Sequence, residues 1–187
     1  MEAILSSFLL VAASEMGDKT QLLAFSLVTR FRRPWTVMAG ILVATLLNHT
    51  LAAGAGTVAS EHIPKRVLAG ILAATFIGFG LWTLKTDRLD QRTKTDRFGP
   101  FITTVILFFL AEMGDKTQLA TVALAARFQS IVLVTTGTTL GMLASDGLAV
   151  FLGEKLAQRV PMRSIRIAAA TLFFVFGAAS AWSAFHG

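Results

Sequence analysis

The chain has 187 residues, 54% of them hydrophobic, with a mean hydropathy of +0.66 and only 15% charged residues, too apolar for an ordinary soluble domain. Its net charge of +6 comes from Lys and Arg in short loops between apolar runs, which argues against a nucleic-acid-binding face and for loop charges that orient a membrane protein. No Cys is present, so disulfides, thiol catalysis and thiolate metal sites are excluded.

Met1-Glu2-Ala3 lacks the basic start and nearby cleavage site of a signal peptide, so it reads as the beginning of a first span. A span needs about 20 mostly apolar residues. Six candidates follow in chain order: 3–29, 36–59, 66–84, 100–126, 131–153 and 165–185. Between them lie Arg32-Arg33-Pro34, Ile63-Pro64-Lys65-Arg66, the stretch from Lys85 to Pro100, Arg127-Phe128-Gln129 and Val160-Pro161-Met162-Arg163. Pro after a charged loop suits the first turn of the next helix. Trp35, Trp82 and Trp182 fall near span ends and read as interface anchors.

Glu-Met-Gly-Asp-Lys-Thr-Gln-Leu occurs twice, at Glu15–Leu22 and at Glu112–Leu119. The offset of 97 residues also maps Arg30-Phe31 onto Arg127-Phe128, Gly40 onto Gly137, Gly56 onto Gly153, Phe76 onto Phe173 and Gly80 onto Gly177. The expected fold is therefore an all-α membrane protein of six transmembrane helices in two three-helix repeats. The first repeat covers 1–84, a cytoplasmic linker 85–99, and the second repeat 100–187. An odd number of spans per repeat makes the second enter from the opposite side, the inverted plan of many secondary transporters. With both termini outside, the cytoplasmic loops carry twelve Lys and Arg and the outer loops three, Lys65, Arg66 and Arg127. That asymmetry predicts both termini outside.

Ionisable residues at membrane depth are costly and usually mark an ion or proton path. On an unbroken helix Glu15, Asp18 and Lys19 share a face. Joined by Glu112 and Asp115, they put four carboxylates around one point. Four buried carboxylates repel unless a cation, protons, or Lys19 and Lys116 compensate. Pairing within each copy, Glu15 with Lys19 and Glu112 with Lys116, is the purely structural alternative, and it leaves two acids over. Gly17 and Gly114 predict a local unwinding at the motif. Such a break would bring Gln21 and Gln118 toward the acids, with Thr20 and Thr117 as further oxygen ligands. On the second helix of each repeat, Asn48-His49 aligns with Ser145-Asp146. These four, with Lys19 and Lys116, are candidates for proton relay or for supporting contacts. Oxygen donors suit Ca²⁺, Mg²⁺ or Mn²⁺. Met16 and Met113 read as packing rather than as soft ligands. An intramembrane aspartyl protease is disfavoured by the adjacent lysines, and a passive channel by so anionic a trap.

The motif Glu-x-Gly-Asp-(Lys/Arg)-(Thr/Ser), once in each half, resembles the signature of a cation (Mn²⁺/Ca²⁺)/proton exchanger family that includes Golgi manganese/calcium transporters and bacterial manganese exporters. The resemblance implies a transporter rather than an enzyme, with no cofactor, moving Mn²⁺ or Ca²⁺ against protons. It carries metal binding onto Glu15, Asp18, Glu112 and Asp115. The short linker is similar to that of bacterial members, and the expected protein is a Mn²⁺ exporter of the bacterial inner (plasma) membrane with periplasmic termini, driven by proton entry, with a Ca²⁺/H⁺ exchanger as the alternative. The expected partners are the divalent cation, protons and the lipid bilayer, with no nucleic acid and a monomeric or homodimeric assembly.

Overall fold

A computed structural model describes residues 1–84, 98–153 and 162–186. Among the described residues the chain forms eight helices and no strand: α1 (Glu2–Glu15), α2 (Lys19–Phe31), α3 (Pro34–His62), α4 (Lys65–Thr83), α5 (Pro100–Glu112), α6 (Lys116–Phe128), α7 (Ile131–Leu152) and α8 (Met162–His186). The segments Pro34–His62, Lys65–Thr83, Ile131–Leu152 and Arg166–His186 are each long and apolar enough to cross a membrane. The linker expected at 85–99 lies outside the described residues except for Phe98 and Gly99.

The expected spans at 3–29 and 100–126 are not single helices. Each divides at the repeated motif, α1 from α2 and α5 from α6. The cause is local: Gly17 and Gly114 take φ of +79° and +75°, a left-handed conformation that interrupts a right-handed helix and that glycine adopts without steric penalty. The next residue starts a new helix. Asp18 and Asp115 are N-caps whose carboxylates accept from the backbone N–H of Lys19 (2.8 Å) and Lys116 (2.7 Å). The unwinding expected at these glycines is present. Both second helices then end alike, with Arg32 and Gln129 in the left-handed region at φ 53° and 51°.

Polarity is inverted relative to a soluble protein. Leu46, Leu47 and Leu51 on α3 and Val67, Ile71 and Leu81 on α4 face outward, while Ser7, Thr45, Thr103, Thr104 and Thr138 are buried. This is what a lipid surround demands. Small residues set the closest helix crossings. A Cβ on Gly80 of α4 would lie 2.6 Å from the Phe174 ring of α8, and one on Gly177 of α8 would lie 2.9 Å from Ile77 of α4. These contacts exchange under the 97-residue offset. So do the seats of Gly40 against Thr104 on α5 and of Gly137 against Ser7 on α1. Helices α3 and α7 thus each pack on the first helix of the other half, which brings the two broken segments together.

Candidate metal centre

Each motif folds into the same closed turn. The Asp18 N–H donates to the Glu15 carbonyl and the Asp115 N–H to the Glu112 carbonyl, both at 3.1 Å. The Gly17 N–H donates to Gln21 Oε1 (3.0 Å) and the Gly114 N–H to Gln118 Oε1 (2.7 Å). The amide groups then reach the other half. Gln21 Nε2 donates to the Ser145 carbonyl (2.9 Å) and Gln118 Nε2 to Asn48 Oδ1 (2.6 Å). Asn48 in turn donates to the Phe109 carbonyl (3.0 Å). Gln21 and Gln118 therefore brace the turns. The break brings them to the motif as expected, but it engages their carbonyl oxygens with backbone N–H groups.

The glutamates are held by the threonines. Thr20 Oγ1 donates to Glu15 Oε2 (2.6 Å), and Thr117 Oγ1 donates to Glu112 Oε2 (2.8 Å). The second oxygen of each, Oε1, is buried with no hydrogen-bond partner among the described residues. Leaving a carboxylate oxygen dry and unpaired is expensive, and a cation or a proton is the kind of partner that would offset that cost.

The lysines do not follow the within-motif pattern of Glu15 with Lys19 and Glu112 with Lys116. Lys19 Nζ lies 2.8 Å from Asp115 Oδ2, and Lys116 Nζ bonds to Asp18 Oδ2. The helix break explains the crossing. Without a continuous helix, Lys19 no longer sits one turn below Glu15 and can reach the opposite motif. The two pairs differ in exposure: the Lys116 side chain is 5% exposed and that of Lys19 24%.

One oxygen from each of Glu15, Asp18 and Asp115 lies within 4.8 Å of the others, and all three residues are buried. This grouping has the spacing of a cation's ligands. Glu112 stands outside the triad but is fully buried beside it, within electrostatic range of Asp115 and of Glu15. Asp146 on α7 is likewise fully buried, feels both Glu15 and Asp18, and has both oxygens without a partner among the described residues. Five buried acids thus face two lysines, a deficit of positive charge that a divalent cation or protons would fill.

The remaining sequence candidates divide. Among the described residues neither ring nitrogen of the buried His49 is bonded and the Ser145 hydroxyl has no partner, while Ser145 meets the site through its carbonyl. Met113 is exposed rather than packed as expected. Sequence reading missed two backbone acceptors, the carbonyls of Ser145 and Phe109. No side-chain pattern signals them.

A family model described as "Divalent cation/proton antiporter GDT1" matches residues 3–91 and 100–187. The chain is 39% identical over 183 residues to a protein named "Putative manganese exporter" from Vibrio cholerae, spanning 97% of this chain and 92% of that one. It is 28% identical to GDT1-like protein 3 of Arabidopsis thaliana, over 96% of this chain and 70% of that protein. It is also 28% identical to GDT1-like protein sll0615 of Synechocystis, over 98% of both. No solved structure matches. The chain belongs to the GDT1 family of divalent cation/proton antiporters.

Proposed function

We propose that this antiporter exports Mn²⁺ from the cytoplasm in exchange for protons, at one site near the membrane midplane shared by its two motifs. The observation that carries this reading is the crossed pairing of Lys19 with Asp115 and Lys116 with Asp18, which makes the motifs one electrostatic unit. Glu15, Asp18, Glu112 and Asp115 are the proposed metal-binding carboxylates. Thr20 and Thr117 hold the glutamates, and Gln21 and Gln118 hold the turns. Asn48, His49, Ser145 and Asp146 line the next layer, where Asp146 and His49 are the candidate proton carriers.

In this reading each broken segment is one span, so α1 with α2 and α5 with α6 complete six spans in two inverted repeats, 1–84 and 100–187, joined by a cytoplasmic linker. The exchange of contacts under the 97-residue offset supports it. The loop charges favour both termini outside a bacterial plasma membrane. Six spans enclose the site within one chain, so a monomer suffices and a homodimer is compatible.

The cycle follows from charge balance. Mn²⁺ arriving from the cytoplasm binds between the motifs and displaces protons. After the site reopens outward, protons reload the carboxylates and release the metal. An unloaded anionic site is disfavoured in a dry interior, which couples the two fluxes. The relative named for manganese export favours Mn²⁺. The all-oxygen donor set serves Ca²⁺ as well, which keeps Ca²⁺/H⁺ exchange as the second reading. The test is purified protein in liposomes holding a pH-sensitive dye. Mn²⁺-driven proton efflux that vanishes in Glu112→Gln is expected. Metal uptake without proton movement would refute exchange, and a response to Ca²⁺ alone would favour the second reading.

A further inference from the structure

Helix α4 shows two different faces to its neighbours. Gly80 seats it tightly on α8, where an added Cβ would lie 2.6 Å from the Phe174 ring. Gly78 opens another way: a Cβ there would meet nothing within 4 Å. Beside it runs a groove of about 580 Å³ between α4, α6 and the end of α3. Small residues, Ala59, Ala74, Gly78, Ala123 and Ala126, make up much of its wall and are too short to interdigitate across it. Ile71 and Leu119 line it and are exposed, and no charged residue does, so it opens toward lipid. At about 1.5 Å per residue, the α4 wall from Leu68 to Trp82 runs for about 21 Å. One leaflet offers only about 15 Å of hydrocarbon.

At the Leu68 end the groove continues into a second cavity of about 370 Å³, and Leu68, Leu72 and Ala126 line both. The chemistry changes there. Lys65, Arg127, Gln129, Ser180 and Ser183 join the lining, which holds two cations and no acid. Arg127 is fixed in place. Its Nη1 donates to the Phe176 carbonyl (3.5 Å) and to Ser180 Oγ (3.4 Å), and its guanidinium lies 5.0 Å over the Phe176 ring. A guanidinium has five N–H groups, so donors remain for a ligand. Lys65 has no ion pair among the described residues. Glu2 is within electrostatic range of Arg127 but lines neither cavity. In the topology proposed above, the outer loops carry three cations, Lys65, Arg66 and Arg127, and two of them line this one cavity.

We propose that this two-part cavity holds one anionic phospholipid of the outer leaflet, with an acyl chain along α4 and α6 and the phosphate between Lys65 and Arg127. Each part selects against other occupants. A free phosphate has no use for a long apolar groove. An uncharged lipid leaves two cations unanswered, and a zwitterionic headgroup brings an ammonium toward them. A net negative headgroup answers both, and the Gln129 amide with the Ser180 and Ser183 hydroxyls suits further headgroup oxygens. Basic pockets between membrane helices recognise lipid headgroups by this chemistry. The seated chain fills the opening that the small residues of α4 and α6 leave between them. This inference takes only the membrane topology from the reading above, and not the exchange mechanism.

The test titrates the detergent-purified protein with dioleoyl phosphatidylglycerol and, separately, with dioleoyl phosphatidylcholine, which has the same chains. Native mass spectrometry counts the lipids bound. One phosphatidylglycerol per chain is expected, held on the order of tenfold more tightly than phosphatidylcholine. Lys65→Gln, at an exposed position, should cut phosphatidylglycerol affinity about fivefold and leave phosphatidylcholine unchanged. Gly78→Leu and Ala74→Leu each fill the groove and should abolish the tight site. Gly70→Leu, also on α4 with open space around it but lining neither cavity, should not. None of these substitutions touches the metal centre, so the outcome is independent of the exchanger reading. Equal affinity for the two lipids, or phosphatidylglycerol binding indifferent to Lys65→Gln or to the two groove-filling variants, overturns the proposal and leaves annular lipid only. Displacement of the lipid by glycerol phosphate would overturn it equally, reducing the site to an anion pocket.

Discussion

Lys19 lies 2.8 Å from Asp115, a residue of the other motif, and Lys116 reciprocates with Asp18. Each lysine therefore occupies, for the opposite motif, a place a bound cation would also seek. Breaking a buried pair by removing one partner costs about 3–5 kcal/mol, whereas partly exposed pairs cost far less. Because the Lys116 side chain is 5% exposed and Lys19 24%, Lys116→Gln should lower the melting temperature well beyond Lys19→Gln. Added Mn²⁺ should recover much of the loss in Lys116→Gln. Equal melting temperatures for the two variants would contradict the asymmetry.

The motif glycines should matter through backbone conformation. Gly114 has open space around its missing Cβ, yet its φ is +75°. Gly114→Ala should therefore cost about 1–2 kcal/mol without any clash and impair transport by loosening the turn. Gly114→Asn, which tolerates this region better, should retain more activity. Thermal unfolding and transport assays on the two variants check the order.

Helix packing offers a paired control. Gly56→Ala would drive a methyl to 2.1 Å from the Val122 carbonyl, so α3 and α6 must separate. Gly54→Ala meets nothing within 4 Å. The first should destabilise severely, by more than the 1–3 kcal/mol typical of overpacking, and the second should be near neutral. Comparable unfolding temperatures for both would discredit this interface.

Much of the site was legible before any coordinates. Eight identical residues recurring within apolar stretches single out Glu15, Asp18 and Asp115, which the fold gathers, and Gly17 and Gly114 mark where the helices break. The crossing of the lysines was not legible. Spacing along one helix puts Lys19 under Glu15, and only the broken backbone releases it to Asp115. Nor could sequence assign the glutamines, because their partners are backbone groups of Gly17, Gly114 and Ser145.

Metal binding should weaken in acid. The proposed ligands bind Mn²⁺ as carboxylates, so binding releases protons and the apparent Kd rises as pH falls. Titrations in buffers of different ionisation heat should report net proton release per ion. An affinity independent of pH would argue against competition at these carboxylates.

The most direct test of a shared centre is the stoichiometry of Mn²⁺ binding to the purified protein by calorimetry. One ion per chain is predicted, lost both in Glu15→Gln/Asp18→Asn and in Glu112→Gln/Asp115→Asn, with each variant still helical by circular dichroism. Two ions per chain, or one ion surviving in either variant, would contradict a single site built from both motifs.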